Sequence, residues 1–184
     1  MSSKGVMVNP TLVVHDFLNM LDRAATPECT EGREGFIVVK GIQSNPSKAV
    51  LTMKVRDHNR KLYEEKKNLL KAAAEFLRVR HPRAVIELEL SDSYANIADA
   101  VTNENRRGID CLYQALEETG VEAKTKAMRG GTDGSYLSVK GVLTPNYFTG
   151  AHNFHSNCEF LPMSSWEKSL GVTLKLMEIV ARGE

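Results

Sequence analysis

The chain has 184 residues, of which 24 are Lys or Arg, 23 are Asp or Glu and 42% are hydrophobic. This composition is typical of a globular protein and excludes a disordered or low-complexity chain. A formal net charge of +1 gives no field that would attract a polyanion, so no nucleic-acid partner is expected. The absence of an apolar run of about 18 residues and of a signal-peptide pattern favours a cytoplasmic protein without a membrane partner.

The first half of the sequence predicts helices and strands in the order α-β-β-α-β. Asn9 before Pro10, and Asn59 further on, are good helix-capping residues. Alternating apolar residues predict strands with one buried and one solvent-facing side. We therefore expect a sheet with helices on one face only. The predicted elements are a helix over residues 10–21, strands over residues 36–40 and 49–55, a helix over residues 60–80 and a strand over residues 84–90.

The long helix after Asn59 is expected to bury one apolar stripe and to expose a charged face. Its EEKKNLLK segment favours a solvated face with ion pairs between residues four positions apart. The residues of the expected buried stripe are Leu62, Leu69, Ala73, Phe76 and Leu77.

The pattern changes after residues 95–100, which predicts a domain boundary there. A helix is expected to end at Gly120, followed by a short strand over residues 124–128 and a glycine-rich turn, RGGTDGS. Ser164 and Glu167 have the spacing of a capping box, which predicts the start of the last helix. One face of that helix carries four large apolar residues: Trp166, Leu170, Leu174 and Met177.

The densest group of possible metal ligands lies in the TGAHNFHSNCEF segment. His152, His155, Cys158 and Glu159 fall within eight residues, and imidazole, thiolate and carboxylate groups all bind zinc. Their spacing matches no closed zinc site, so three interpretations stay open. The segment forms its own metal site, contributes one ligand to a site completed elsewhere, or is an ordinary surface loop.

Two arginines are candidates for binding an anionic group. Arg129 opens the RGGTDGS turn and has the guanidinium geometry that holds a carboxylate through two hydrogen bonds. The turn itself either cradles a phosphate or allows a helix to start at Thr132 or Asp133. Arg56 ends a predicted strand. If it does not bind an anionic group, it is a solvated charge or a partner for Asp57.

Several segments together resemble the peptidase T family of bacterial tripeptide aminopeptidases. They are KGVMVN, TEGREGF, VRDHNR, HPRAVIELELSDSYANI, MRGGTDG and TPNYFTGAHNFHSNCEF, in this order. The resemblance runs from about Ser3 to Arg182 and is to the second half of the family's sequences. It implies a co-catalytic dizinc metallopeptidase with an α/β/α catalytic domain and an inserted lid domain that mediates dimerisation.

By this resemblance, residues 1–95 correspond to the lid or dimerisation domain without its first strand. Residues 96–184 correspond to the C-terminal segment of the catalytic domain. His155 takes the position of the family's last zinc-binding histidine, and Arg129 and Arg56 take positions associated with peptide binding. This chain has His152 where the family has an aromatic residue, so His152 is not transferred as a ligand.

The resemblance also implies that most of the active site lies outside this sequence. The family's other zinc ligands and its catalytic glutamate belong to segments that precede the matched region, so no catalytic residue is assigned here. The chain is expected to be a truncated, broken or split form of the enzyme, inactive alone and in need of an N-terminal catalytic half. A small peptide is the expected substrate, and homodimers through the lid are expected. The alternative is a non-catalytic dimerisation or interaction module derived from a peptidase lid.

Overall fold

The computed structural model describes residues 4–183, which divide into two compact units. The first unit contains the described residues up to Asp92 together with Ala127–Arg129, and the second contains Ser93–Lys126 and the described residues from Gly130 onward. The assignment of lid and catalytic domains on either side of residue 95 stays a prediction.

Besides a short 3-10 helix (Pro27–Cys29), the first unit contains two α-helices and two strands at the places that the sequence predicts. They are α1 (Pro10–Asn19), β1 (Phe36–Ser44), β2 (Ala49–Arg56) and α2 (Arg60–Arg80). Both predicted caps are confirmed. The Asn9 side chain accepts a hydrogen bond from the Thr11 amide, and the Asn59 side chain accepts from the amides of Lys61 and Leu62. These bonds satisfy amides that have no partner inside a helix.

The two strands form an antiparallel pair that lies against the helices. Ile37 pairs with Val55 and Ile42 with Leu51, and the register shifts between Val39 and Gly41. An isolated pair of strands is barely stable in water, so α1 and α2 supply the surface on which it packs. Residues of β2 alternate as predicted between the helix-facing core and solvent.

The core of the first unit differs from the predicted stripe of α2. Leu70 and Leu77 are almost completely buried, whereas Leu69 is 44% exposed and Phe76 is 52% exposed. The predicted burial of Ala73 and Leu77 is confirmed. The predicted burial of Leu62, Leu69 and Phe76 is wrong, because α2 turns a neighbouring line of residues toward the sheet. The buried core residues are Phe17, Ile37, Leu70, Ala73, Ala74 and Leu77.

The segment over residues 84–90 is not a strand of the sheet. Ile86 and Leu88 pack against the core while Val85, Glu87 and Glu89 are exposed, so the predicted alternation is confirmed up to residue 89; Leu90, expected on the buried side, is 38% exposed. The predicted strand is nevertheless wrong, since the described residues form only a two-stranded sheet, β1 with β2. The main chain of the segment is held instead by Arg78, whose Nε donates to the Ile86 carbonyl oxygen at 2.8 Å.

The second unit is built from helices and irregular segments. After a short 3-10 helix (Ile97–Ala100), its α-helices are α3 (Arg107–Glu118), α4 (Asp133–Val139) and α5 (Met163–Arg182). Its core lies where α3 and α5 pack together. Residues 124–128 form no strand, which contradicts the prediction. The predicted capping box is also wrong: α5 is preceded by Pro162 at its N-cap, and no side chain caps it.

With a helix-covered strand pair and further helices, the chain is a mixed α/β protein, as predicted. None of the helices formed by residues 4–183 is long and apolar enough to cross a membrane.

Candidate functional site

Two of the sequence-predicted site residues, Arg56 and Arg129, meet in the first unit. Arg56 lies at the end of β2, and its Nη1 donates a hydrogen bond of 2.7 Å to the carbonyl oxygen of Arg129. Beside it, the Nε2 atom of His58 donates to the Met128 carbonyl oxygen at 3.0 Å. The segment after β2 therefore holds the main chain just before the RGGTDGS turn, although some 70 residues separate the two segments in sequence.

The guanidinium of Arg129 is held by the loop that precedes β1. Its carbon lies 4.5 Å from the centre of the Phe36 ring, a cation–π contact. Its Nη1 donates to the Thr30 carbonyl oxygen, and its Nη2 donates to the Thr30 hydroxyl at 2.5 Å. Two of its three nitrogens therefore already have strong protein partners.

The third nitrogen of this guanidinium is different. Arg129 Nε is buried and has no hydrogen-bond partner among the described residues. A buried donor without a partner costs about 1–3 kcal/mol, so an acceptor supplied by a ligand would be stabilising at this position. The structure thus leaves Arg129 with a scaffolding role and one unused donor.

Asp57 anchors the start of α2 next to this site. Its carboxylate accepts one hydrogen bond of 2.7 Å from Lys66 Nζ and another of 2.8 Å from the Asn59 amide, and its side chain is only 1% exposed. Gly35 lies against it, because a Cβ atom there would come within 1.9 Å of Asp57 Oδ2. The prediction that Lys66 lies on a solvated helix face is wrong, because its ammonium group reaches this buried carboxylate.

A second polar cluster links α2 to the end of the first unit. The Tyr63 hydroxyl donates to Asp92 at 2.6 Å, and Lys67 Nζ donates to the same carboxylate at 3.1 Å. Burial, followed by the hydrogen bond to Asp92, raises the pKa of Tyr63 to about 12. The hydrogen bonds from Tyr63 and Lys67 lower the pKa of Asp92.

The RGGTDGS turn leads into α4, as one of its two interpretations predicts. Thr132 stands at the N-cap and Asp133 begins the helix, although the Thr132 side chain makes no capping hydrogen bond. The glycines permit close packing: a Cβ at Gly131 would lie 2.0 Å from the Tyr94 ring, and one at Gly134 would lie 2.5 Å from the Thr144 carbonyl oxygen. Steric need therefore explains these glycines without a phosphate.

His155 lies in the second unit, in a loop closed by a single bridge between His152 and Phe160. Its backbone is left-handed, with φ of 65°, and its amide donates to Glu159 Oε2 at 2.9 Å. The ring of His152 stacks on that of Phe160 with 5.1 Å between their centres. The loop thus uses Glu159 and His152 to hold its own shape, and His155 is exposed.

The zinc that the resemblance implies would need a set of donor groups close together in the fold. Zinc in proteins takes three or four protein ligands in a tetrahedral arrangement. Across residues 4–183, no group of three or more His, Cys, Asp or Glu residues is placed to hold a metal ion. The described part of the chain therefore does not fit a self-contained zinc site, and His155 as a ligand stays a prediction.

Relatives of known name match nearly the whole chain. A peptidase T-like protein of Rhizobium meliloti is 45% identical over 98% of this chain. The peptidase T of Parabacteroides distasonis is 39% identical over 98% of it, and that of Clostridium acetobutylicum is 36% identical over the same share. By sequence, the chain resembles the peptidase T family over nearly its whole length. No protein-family model matches it.

The chain spans less than half the length of these peptidase T relatives, covering 44% of each of the three. Solved structures show the same partial match. A tripeptidase of Staphylococcus aureus superposes with a TM-score of 0.68 and 18% identity, over 95% of this chain and 46% of that one. The aminopeptidase PepT of Bacillus cereus gives a TM-score of 0.62 at 14% identity, with the same coverage. At such identities the superpositions establish the fold alone.

Several residues around the arginines were missed by sequence reasoning. Thr30 and Phe36, which hold Arg129, lie far from it in the chain, and only the TEGREGF segment of the family resemblance includes them. The binding roles of Arg56 and Arg129 stay predictions.

Proposed function

We propose that the chain is part of a zinc-dependent peptidase T-type enzyme that removes the N-terminal residue of tripeptides, and that it is inactive alone. The observation that carries the proposal is 36–45% identity to relatives named peptidase T or peptidase T-like over 98% of this chain. The relatives' names give the reaction class. The chain covers 44% of their length, and for this reason we expect it to be inactive on its own.

Within that enzyme, the first unit of this chain binds the peptide. Arg56 and Arg129 are joined by a hydrogen bond, and guanidinium groups bind carboxylates and carbonyl oxygens without coordinating metal ions. The unused Nε–H of Arg129 is the donor that we assign to a peptide oxygen. Arg56, by fixing the Arg129 main chain, sets the position of that donor.

His155 is the ligand that we assign to zinc, with the other ligands and the catalytic carboxylate supplied by polypeptide outside this chain. Zinc, when bound, supplies an activated water and polarises the scissile carbonyl. Since the described residues do not make a zinc site, this chain is given roles in binding and positioning only. A cytoplasmic location belongs to the same proposal.

A second candidate function is a non-catalytic dimerisation or interaction module. The observation that favours it is the segment over residues 84–90, which packs on the core through Ile86 and Leu88 but pairs with no strand of the described sheet. Unpaired main-chain groups at such a segment invite pairing with another chain. This candidate predicts dimers in sedimentation, and a monomer at all micromolar concentrations would contradict it.

The test of the first proposal is reconstitution. The Rhizobium meliloti relative supplies the missing part: the portion of it outside the matched region, hereafter the complement, is expressed and mixed with this chain in the presence of zinc. Release of the N-terminal residue from a tripeptide is followed by chromatography. We expect hydrolysis by the mixture and none by either part alone. A zinc-loaded complex without hydrolysis would contradict the proposal.

A further inference from the structure

Helix α5 carries apolar residues on two opposite sides. One side packs in the core of the second unit, where Val172 and Ile179 are fully buried against α3. The other side is a line of four large side chains, here called the outer stripe: Trp166, Leu170, Leu174 and Met177.

The outer stripe is continuous and solvent-facing. Its members follow one another at intervals of four, four and three residues, which places them on one line along a helix. Each is exposed, from 42% for Leu170 to 64% for Met177. At its C-terminal end, Lys175 and Arg182 both pair with Glu178, at 2.7 Å and 3.8 Å, and Glu167 beside Trp166 is exposed. The stripe itself contains no charge that would favour solvent.

A helix that is apolar on two sides is typical of a helix packed between two layers. The second unit supplies only one of these layers. Its buried core comes from α3 and α5, and no strand is formed by its described residues beyond the bridge in the His155 loop. Contiguous apolar surface of this kind marks an interaction site on a soluble protein.

We propose that the outer stripe of α5 is the docking surface for the part of a peptidase T-type protein that this chain does not span. The inference rests on the proposed function, in which that part completes the enzyme. The chain covers 44% of its Rhizobium relative and 46% of the Staphylococcus tripeptidase, so more than half of each polypeptide is available to form the missing layer. The uncharged stripe calls for an apolar face as its partner, which the inner side of a sheet or of another helix provides.

Trp166 makes the inference directly measurable, since it is the single tryptophan of the chain. The chain is produced with 5-fluorotryptophan, and its ¹⁹F resonance is followed while the unlabelled complement is added. Docking on the stripe will shift the resonance and remove its sensitivity to exchange of H2O for D2O. Sedimentation is expected to give a one-to-one complex. Failure to form a complex, or a complex in which Trp166 stays solvent-accessible, would overturn the inference.

A pair of variants of α5 locates the surface. Leu174→Glu places a charge in the outer stripe, whereas Lys168→Glu places the same residue at an exposed position one turn before Val172. We expect Leu174→Glu to weaken binding of the complement at least about tenfold, as for the loss of an interface anchor, and Lys168→Glu to leave it unchanged. Equal binding by both variants would overturn the assignment. Should Leu174→Glu fail to fold by circular dichroism, the ¹⁹F measurement on the unsubstituted chain decides.

A second copy of the chain is the competing occupant. A homodimer that buries Trp166 and is not displaced by the complement would overturn the proposal and would show that a second copy occupies the stripe. The outcomes also separate this inference from the proposed function. A complex that buries Trp166 without hydrolysing tripeptides contradicts the function alone, and hydrolysis with Trp166 exposed contradicts the docking surface alone.

Discussion

The guanidinium of Arg129 lies over the ring of Phe36, with 4.5 Å between the guanidinium carbon and the ring centre. Together with the hydrogen bonds to Thr30, this contact attaches the start of the RGGTDGS turn to β1 and to the loop before it. Arg129, which the sequence predicts to bind the peptide, is thus also part of the scaffold of the first unit.

The first prediction concerns this attachment. Thr30→Val removes the hydroxyl that accepts from Arg129 and donates to the Thr26 carbonyl oxygen. The loss leaves a partly buried guanidinium donor without its partner, so the free energy of unfolding should fall by about 1–3 kcal/mol. Thr30→Ser keeps the hydroxyl and should lose much less. Urea unfolding measures both, and equal stability of the two variants would contradict the attachment.

The second prediction concerns the buried ion pair of Asp57. Lys66→Met leaves the Asp57 carboxylate without its cation, and because Lys66 is 20% exposed, the loss corresponds to one charged hydrogen bond, about 1.5–3 kcal/mol. Lys61→Met is the matched control on the same helix, since Lys61 is 85% exposed and lies 3.9 Å from Glu65. It should have almost no effect. Equal urea midpoints for the two variants would show that the Asp57 pair does not stabilise the fold.

The third prediction follows from the pKa of Tyr63, raised to about 12 by burial and by its hydrogen bond to Asp92. A raised pKa contributes stability that is complete below the ordinary value near 10 and disappears as the pH rises toward 12. Tyr63→Phe should therefore remove a component that ionises well above pH 10 from an absorbance titration. The stability difference from the unsubstituted chain should narrow over the same pH range. Loss of a component that titrates near pH 10 would contradict this.

The fourth prediction compares neighbouring leucines of α2. Leu70 is 2% exposed, whereas Leu69 is 44% exposed. Leu70→Ala opens a cavity in the core and should cost about 2–5 kcal/mol, while Leu69→Ala should cost far less. Thermal or urea unfolding of the two variants checks which line of α2 faces the sheet, and a larger loss for Leu69→Ala would reverse the assignment.

The sequence predicts the local features of this fold well. The caps at Asn9 and Asn59 involve residues within three positions of each other, so a short motif contains all of the information. The buried line of α2 is harder to predict, because Leu69 and Leu70 are adjacent and a small rotation of the helix decides which of them is buried. The capping box at Ser164 and Glu167 failed because Pro162 stands at the N-cap, so the helix begins two residues earlier than the motif requires.

Non-local relationships account for the remaining differences. The alternation over residues 84–90 correctly identifies Ile86 and Leu88 as core residues but not Leu90, and whether the segment joins a sheet depends on a neighbouring strand that local sequence does not specify. The pairing of Lys66 with Asp57 competes with local helix pairs and is decided by burial of the carboxylate. Family resemblance singles out Arg56 and Arg129 separately, whereas their direct contact is visible only in the fold.

We propose that this chain supplies a metal ligand and peptide-binding groups to an active site completed by other polypeptide. The most direct test of this proposal is the zinc content and the kcat/KM for a tripeptide of the reconstituted enzyme carrying His155→Ala or Arg129→Ala, with His152→Ala and Thr30→Val as controls. His155→Ala should lose both zinc and kcat. Arg129→Ala should keep zinc and lower kcat/KM about 10- to 150-fold, the equivalent of one charged hydrogen bond. His152→Ala should change neither quantity, and Thr30→Val should keep zinc and lower kcat/KM less than Arg129→Ala does. Loss of zinc in His152→Ala with full zinc in His155→Ala, or unchanged kcat/KM in Arg129→Ala, would contradict the account.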